Sequence, residues 1–304
     1  MGSSIKTRWL MCLMLLSFLS VTFAQDGSEG RAMVDKLIKV YQDNGVDAAL
    51  AAYNEANPNK DYEGLQEPLN QLGYRLLNAE NDADAAAKVF MAQIEEYPKQ
   101  PNPYDSYADA MIRQGNEEEA KKHLKKSIAY MDNMEDEAAR KNLTVASKSK
   151  LARLEGKHKD LNFLAGNWEM KSYEVKDGNR TLRWTDDVSF KPSKYSSVII
   201  TNYSNEEDEF EGTQIMTYNA INDEYDVVRV DNNQLDGFDT AKFKIKEKSD
   251  DKVVMMETFE ENGKNKTLKH VFHKKDGNLE WEIHEKDDND KENLITYMDL
   301  KKKN

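Results

Sequence analysis

The chain has 304 residues, of which 38% are hydrophobic and 9% aromatic, enough apolar material for about two domains with separate cores. This composition excludes an intrinsically disordered chain. The formal net charge of −13 argues against nucleic acid or an anionic membrane surface as the partner.

The N-terminal segment has the features of a signal peptide. Lys6 and Arg8 precede an apolar run over residues 9–23, which is shorter than the roughly 20 residues that span a bilayer. Small residues before Gln25 predict cleavage there, and retention of the segment as an anchor is the alternative. Cleavage also removes Cys12, the only cysteine. We therefore expect a periplasmic or secreted protein with no disulfide and no membrane span after cleavage.

The spacing of apolar residues changes near Gly156. Between Ala32 and Leu154 the spacing is helical, whereas from Trp168 onward short alternating segments of Val, Ile, Tyr, Phe and Thr are separated by turn pairs such as Asp177-Gly178. The prediction is a multidomain α plus β protein with a signal peptide over 1–24, a helical domain over 25–156 and a β domain over 157–304.

The helical half carries a repeat. Ala86 and Ala120 are 34 positions apart, and so are Phe90 and Leu124. Together with a Leu-Gly pair before them and a closing proline, these residues resemble the tetratricopeptide (TPR) repeat family. The resemblance covers about residues 33–155 and implies an α-helical solenoid of paired helices.

The TPR resemblance also implies a concave groove that docks a protein partner. The inner-helix positions that line such a groove are Asn70, Tyr74, Asp105, Asp109, Ile112 and Arg113. The family's clamp for a peptide carboxylate needs basic residues where this chain has Asp105 and Asp109, so we expect no such clamp. A basic or neutral peptide is the expected partner.

The β half contains about ten strand-like segments joined by short turns. A meander of this length most easily protects its edges by closing, so we predict an antiparallel up-and-down β-barrel. The segments lie near 167–175, 181–190, 195–203, 210–218, 224–231, 239–247, 252–259, 266–274, 278–286 and 293–301.

The triplet Gly166-Asn167-Trp168 resembles the Gly-x-Trp motif at the first strand of lipocalin-like (calycin) barrels. The resemblance covers about residues 159–302, and the segment after Phe210 is similar to small exported lipocalin-like domains of unassigned function. In the lipocalin-type families the Trp plugs one end of the barrel and a late basic residue packs over it. Here the Trp is Trp168, and Lys301 or Lys302 can supply the basic group.

The barrel interior can be full or can hold a ligand. Large residues on the inner face either fill the barrel or line a cavity: Phe243, Met255, Phe259, Phe272 and Trp281. The candidate contacts for a small apolar or amphipathic ligand are Arg229, His270 and Trp281.

Two candidates leave alternatives open. Arg229 either points outward and pairs with surface acids, or points inward and requires Asp231 or a ligand carboxylate as compensation. His270 is either a hydrogen-bonded core residue or a ligand contact, which includes ligation of haem.

We find no motif that specifies catalysis, a metal or a resident cofactor. Ser147-x-x-Lys150 matches a serine-hydrolase motif only superficially, because the partner motifs are absent. The expectation is an exported, non-enzymatic binding or scaffold protein. The alternatives are a small-molecule carrier with a fatty-acid-like or haem-like ligand in the barrel, and a barrel-based lyase or isomerase that uses Arg229, His270 and a tyrosine.

Overall fold

The computed structural model describes residues 30–56, 67–194, 198–207, 209–232, 237–261, 263–287 and 291–303. The chain divides into two compact units, Met1–Leu151 and Ala152–Asn304. The signal-peptide prediction concerns residues outside the described part. Among the residues that are described, no helix is both long enough and apolar enough to cross a membrane. Whether the two units fold independently stays a prediction.

The first unit is helical. Its elements are α1 over residues 30–44, α2 Val46–Ala56, α3 Pro68–Asn78, α4 Ala83–Glu96, α5 Pro101–Gln114, α6 Glu117–Ala129 and α7 Glu137–Leu154. Prolines open α3 and α5, where a missing N–H costs nothing. Gly115 ends α5 with a left-handed φ of 77°.

Neighbouring helices in this unit pack closely in chain order. From α3 to α6 each helix contacts the next one, and α2 also contacts α4 while α3 contacts α5. At Gly73 on α3, an added Cβ would lie 2.3 Å from the Phe90 ring on α4. Glycine at this position therefore permits the close approach of α3 and α4. The four residues that define the 34-residue spacing are fully buried: Ala86, Phe90, Ala120 and Leu124.

The second unit is an antiparallel barrel of ten strands that closes in chain order, with β1 paired to both β2 and β10. The predicted closed up-and-down barrel is confirmed. Its strands are β1 Gly166–Lys176, β2 Asn179–Pro192, β3 Val198–Asn205, β4 Phe210–Asn219, β5 Glu224–Asp231, β6 Asp239–Lys248, β7 Lys252–Glu261, β8 Lys264–Lys275, β9 Asn278–Lys286 and β10 Glu292–Lys302.

One end of the barrel is closed by the segment that precedes β1. Trp168 is buried there and donates a hydrogen bond from Nε1 to the Leu164 carbonyl at 2.8 Å. The ammonium of Lys302, one of the two lysines expected in this role, lies 5.7 Å from the centre of the Trp168 ring. Gly166 has a φ of 141°, a conformation that favours glycine. Leu161 and Leu164 join the barrel core at this end.

Some inward-facing side chains of the barrel are only half-buried. Tyr203, Phe259, Trp281 and Ile283 pack against the core but keep part of their surface exposed. The strand register places Phe259 opposite Ala241 and Ile283 opposite His270, both of which are buried. Since paired residues share a face of the sheet, Phe259 and Ile283 point into the barrel.

Candidate functional site

Arg229 points into the barrel. Tyr225 and Val227, which share its face of β5, are buried, whereas Val228 and Val230 on the opposite face are exposed. The alternative in which Arg229 points outward to surface acids is therefore wrong. Its side chain is 28% exposed, so solvent reaches it.

The charge of Arg229 is compensated by Glu257 on β7. Nη2 of Arg229 lies 2.5 Å from Oε1 of Glu257, and Nε donates to Oε1 of Gln214 at 2.9 Å. The expectation that an inward Arg229 needs Asp231 or a ligand carboxylate is corrected by this ion pair. Glu257 is only 5% exposed, so the pair lies largely within the barrel.

The second carboxylate oxygen of Glu257 contacts His270. The distance from Oε2 to Nε2 of His270 is 2.8 Å, and Trp281 donates from Nε1 to Nδ1 of His270 at 3.0 Å. Because Nδ1 accepts the Trp281 bond, Nε2 carries the proton and donates to Glu257. The three barrel candidates named from the sequence thus belong to one hydrogen-bonded network, which we call the barrel network: Gln214, Arg229, Glu257, His270 and Trp281.

Electrostatics keep Glu257 ionised. Burial disfavours its charged form, but the hydrogen bond from His270 and the charge of Arg229 outweigh burial and lower the pKa of the Glu257 carboxyl. A carboxylate held by two donors is not free to act as a general base. The network instead fixes the orientation of Arg229.

Part of Arg229 stays exposed beside apolar side chains. Its side chain is 28% exposed, and Phe259, Trp281 and Ile283 stand half-buried on the same inner surface. A partly exposed guanidinium beside an apolar wall suits the polar head and the tail of an amphipathic molecule.

The large inner-face residues differ in burial. Phe243, Met255 and Phe272 are buried in the barrel core, whereas Phe259 and Trp281 are half-buried. The rings of Phe272 and Trp281 stack with centroids 4.8 Å apart. The first three residues therefore fill part of the barrel, and the other two keep part of their surface exposed.

In the helical unit, two of the six predicted groove residues do not line a groove. Asn70 and Asp105 are 3% and 4% exposed. Asn70 Oδ1 accepts hydrogen bonds from Asn102 at 3.1 Å and Ser106 at 3.0 Å, so it links α3 to α5. The expectation that Asn70 and Asp105 line an open groove is wrong, because both are buried and their polar groups bond to other residues of the helical unit.

Asp105 and Asp109 share one partner, Lys150 on α7. The Lys150 ammonium lies 2.8 Å from Asp105 and 2.6 Å from Asp109. Tyr74 donates to Asp109 at 2.8 Å, and Ser147 donates to Asp105 at 2.6 Å. We call these five residues the helical network. Both carboxylates are paired with Lys150, whose charge offsets one of the two, and Asp105 is buried. They therefore do not form the open acidic surface that was expected for a basic peptide.

The pKa shifts in the helical network reflect its burial. Burial raises the pKa of the Asp105 carboxyl despite the nearby Lys150 charge. Burial lowers the pKa of the Lys150 ammonium, but the two aspartates outweigh this effect and raise it overall. Ser147 is fully buried and bonded to Asp105. The structure thus uses the Ser147-x-x-Lys150 pair for packing.

Ile112 and Arg113 remain at the surface of α5. Both are exposed, and Arg113 contacts the Asn81 and Asn78 side chains at 3.4 and 3.5 Å. Of the predicted groove residues, these two are the ones that a partner can reach directly. Tyr74 and Asp109 are half-buried.

No group of three or more His, Cys, Asp or Glu residues in the described part of the chain is arranged to hold a metal ion. The sequence analysis missed Glu257, Gln214 and Lys150. For Glu257 a signal existed, since it alternates with Met255 and Phe259 and so shares their inward face. For Lys150 no local signal pointed to residues on α5.

The comparisons with known proteins identify no family. No protein-family model matches the chain, and no curated protein is significantly similar to it.

Proposed function

We propose that this is an exported, non-enzymatic binding protein, periplasmic or secreted, with a TPR-type helical domain and a lipocalin-like barrel. The barrel binds a small amphipathic ligand, and the helical domain docks a protein segment. The observation that carries the proposal is Arg229: its guanidinium lies inside the barrel, partly exposed, beside half-buried apolar side chains.

The ligand contacts two kinds of surface inside the barrel, one apolar and one polar. Its apolar part contacts Phe259, Trp281 and Ile283, and its polar head accepts hydrogen bonds from Nη1 of Arg229. A carboxylate is the head group that best matches a guanidinium. The nearby acids Asp186, Asp231 and Asp239 oppose an anion through their charges, so the sign of the head group is the part of the proposal to test.

The experiment is a fluorescence titration of the protein with a dansyl fatty acid and, separately, with haemin. We expect micromolar binding by the wild type, and a dissociation constant at least about tenfold higher for the double variant Arg229→Met with Glu257→Gln. The double variant removes both charges, so no buried ion is left unpaired.

The matched control is Lys244→Met, which removes an exposed cation from β6 and should leave binding unchanged. If neither probe binds the wild type, the carrier function for these ligands is lost. If an alkylammonium of equal chain length binds more tightly than the fatty acid, the carboxylate assignment is wrong.

The protein-docking part of the proposal is supported by the packing of α3 to α6 and by the 34-residue spacing of their buried positions. The docking surface centres on Ile112 and Arg113. We expect Ile112→Glu with Arg113→Glu to remove a specific partner from a pull-down without a change in melting temperature. Val145→Glu, at another exposed apolar position on α7, is the control. A partner recovered equally by both variants would contradict this surface.

A further inference from the structure

The strand β2 extends past its neighbour β3. β2 has 14 residues, but its pairing with β3 covers only residues 187–192, whereas β1 pairs along its other side from the first residue onward. In the described part of the chain, no strand pairs with residues 179–186 on the side away from β1. Residues 179–185 are all exposed, and we call them the open edge.

The turn between β1 and β2 determines which backbone groups face the open side. It has two residues, Asp177 and Gly178, with φ of 52° and 76°, and the residues that flank it pair with each other. Flanking residues of such a turn form a hydrogen-bonded pair, and hydrogen-bonded pairs alternate with non-bonded pairs along the ladder. The N–H and C=O groups of Arg180 and Leu182 therefore point away from β1, toward the open side.

The arginine side chains of the open edge are directed away from the open side. Cζ of Arg180 lies 3.4 Å from the centre of the Tyr297 ring on β10, and Arg183 forms an ion pair with Glu174 on β1. Charged side chains often protect an edge strand by standing over its free backbone. Here both charges lie over the neighbouring strands instead, so the backbone of the open edge stays accessible.

Two large apolar side chains on the open edge face water. Leu182 is 51% exposed and Trp184 is 45% exposed. Leu182 pairs with Tyr173 and Trp184 pairs with Ser172, so the two side chains lie on opposite faces of the sheet. A strand added beside β2 would cover one of them with each of its own faces.

We propose that the open edge binds an extended, acidic segment of another protein, which adds a strand beside β2. Backbone hydrogen bonds to Arg180 and Leu182 hold the segment, as in other cases of strand addition to a sheet edge. Alternate side chains of the segment contact Leu182 on one face and Trp184 on the other. This surface is independent of the ligand site inside the barrel.

Charge determines which segment fits. Residues 174–185 carry three cations and two acids, whereas the whole chain has a net charge of −13. The single carboxylate of Glu174 pairs with both Lys176 and Arg183, and Arg180 lies on an aromatic ring. An acidic segment is attracted to this excess of positive charge. The open edge of a second copy brings its own arginines and is repelled.

A fluorescein-labelled peptide of seven residues that alternates Glu and Val is the probe, and fluorescence anisotropy with the full chain measures its binding. We expect saturable binding, and binding at least about tenfold weaker for the same peptide with Lys in place of Glu. Arg180→Glu should narrow this difference. Absence of saturable binding by the Glu peptide, or equal binding of the two peptides, overturns the proposal.

Leu182→Pro tests the backbone contribution. The substitution removes an N–H that faces the open side and no bond to β1, and an edge strand accepts proline at such a position. We expect at least about tenfold weaker binding of the Glu peptide, and a smaller loss for Leu182→Ala, which keeps the N–H. A Leu182→Pro chain that binds like the wild type contradicts strand addition.

Hydrogen exchange of the wild type locates the contact without any variant. The Glu peptide should slow exchange of the N–H groups of Arg180 and Leu182. Protection that appears only elsewhere in the chain places the peptide on another surface. Sedimentation velocity of the chain alone tests the other occupant: a dimer that Leu182→Pro dissociates would assign the open edge to a second copy and overturn the proposal.

Discussion

The two units each contain a buried polar network, and the networks are built in opposite ways. In the helical network one cation, Lys150, serves two carboxylates, Asp105 and Asp109. In the barrel network one carboxylate, Glu257, serves two nitrogen groups, those of Arg229 and His270. The first joins α3, α5 and α7, and the second spans the interior from β4 to β9.

The difference determines how each network responds to acid. The pKa of Asp105 is raised by burial, so protonation relieves a cost in the folded helical unit. The pKa of Glu257 is lowered overall, since its hydrogen bond to His270 and the charge of Arg229 outweigh burial, so protonation removes a stabilising contact from the barrel. Acid therefore favours one network and weakens the other. The barrel network also contains a partly exposed guanidinium, that of Arg229.

The largest expected effect is that of Lys150→Met. Two carboxylates lose their partner, and we expect the free energy of unfolding of the helical unit to fall by about 3 kcal/mol at neutral pH. The pKa of Asp105, already raised by burial, rises further without Lys150, so the loss should shrink as pH falls and Asp105 takes up a proton. Urea unfolding followed by helical circular dichroism measures it.

Lys141→Met, at an exposed lysine on the same helix, is the control for loss of charge. A loss for Lys150→Met that is equal at both pH values would show that packing, and not the ion pairs, makes Lys150 important.

A smaller effect is expected for Glu257→Gln in the barrel. The substitution leaves Arg229 without its counter-ion, but solvent reaches Arg229, so we expect a loss of about 2 kcal/mol at neutral pH. The pKa of Glu257 is lower in the folded protein than in the unfolded chain. The difference in free energy of unfolding between wild type and variant should therefore be complete above the unfolded-state pKa. It should disappear as pH falls through the folded-state pKa.

Tryptophan fluorescence can follow this barrel variant selectively, since Trp168, Trp184 and Trp281 all lie in the second unit and Trp9 is the remaining tryptophan. Glu260→Gln, an exposed neighbour on β7, is the control. A wild-type advantage that grows on acidification would contradict the ion pair.

The smallest effect is expected for Trp281→Phe. The indole N–H that bonds Nδ1 of His270 is lost, and we expect a cost of about 1 kcal/mol. Nitrogen NMR of the His270 ring should show a proton on Nε2 in the wild type and exchange between both tautomers in the variant. A wild-type ring protonated on Nδ1 would refute the described direction of the network.

The strands could be predicted because the alternation of inward and outward side chains depends only on neighbouring residues. Alternation places every second residue inside, and Asp-Gly pairs mark the turns: Asp177 and Gly178 have φ of 52° and 76°, and Asp276 and Gly277 have 48° and 81°. Positive φ at both central residues joins adjacent strands tightly. The closed antiparallel barrel follows from ten such segments in chain order.

The site was predictable only in part, because burial of polar residues depends on partners far along the chain. Arg229, His270 and Trp281 were named, but the Glu257 that joins Arg229 and His270 was not, although its inward register was visible. Asp105 was assigned to an open groove, since nothing near it in sequence indicates that α7 brings Lys150 beside it. Local sequence patterns do not predict which side chains on different helices or strands contact each other.

Closure of the barrel depends on a ladder whose two strands come from opposite ends of the second unit. β1 begins at Gly166, β10 ends at Lys302, and Trp168 pairs with Lys302. A contact of such high contact order forms late, because the loop entropy must be lost before the pairing stabilises it. Until β10 is synthesised, β1 and β9 expose unpaired backbone along their full lengths, which is the feature that recruits other chains. The eleven residues of β10, the last strand, are therefore required for a nascent molecule to close into a barrel. Without them the molecule remains an open sheet that is prone to aggregate.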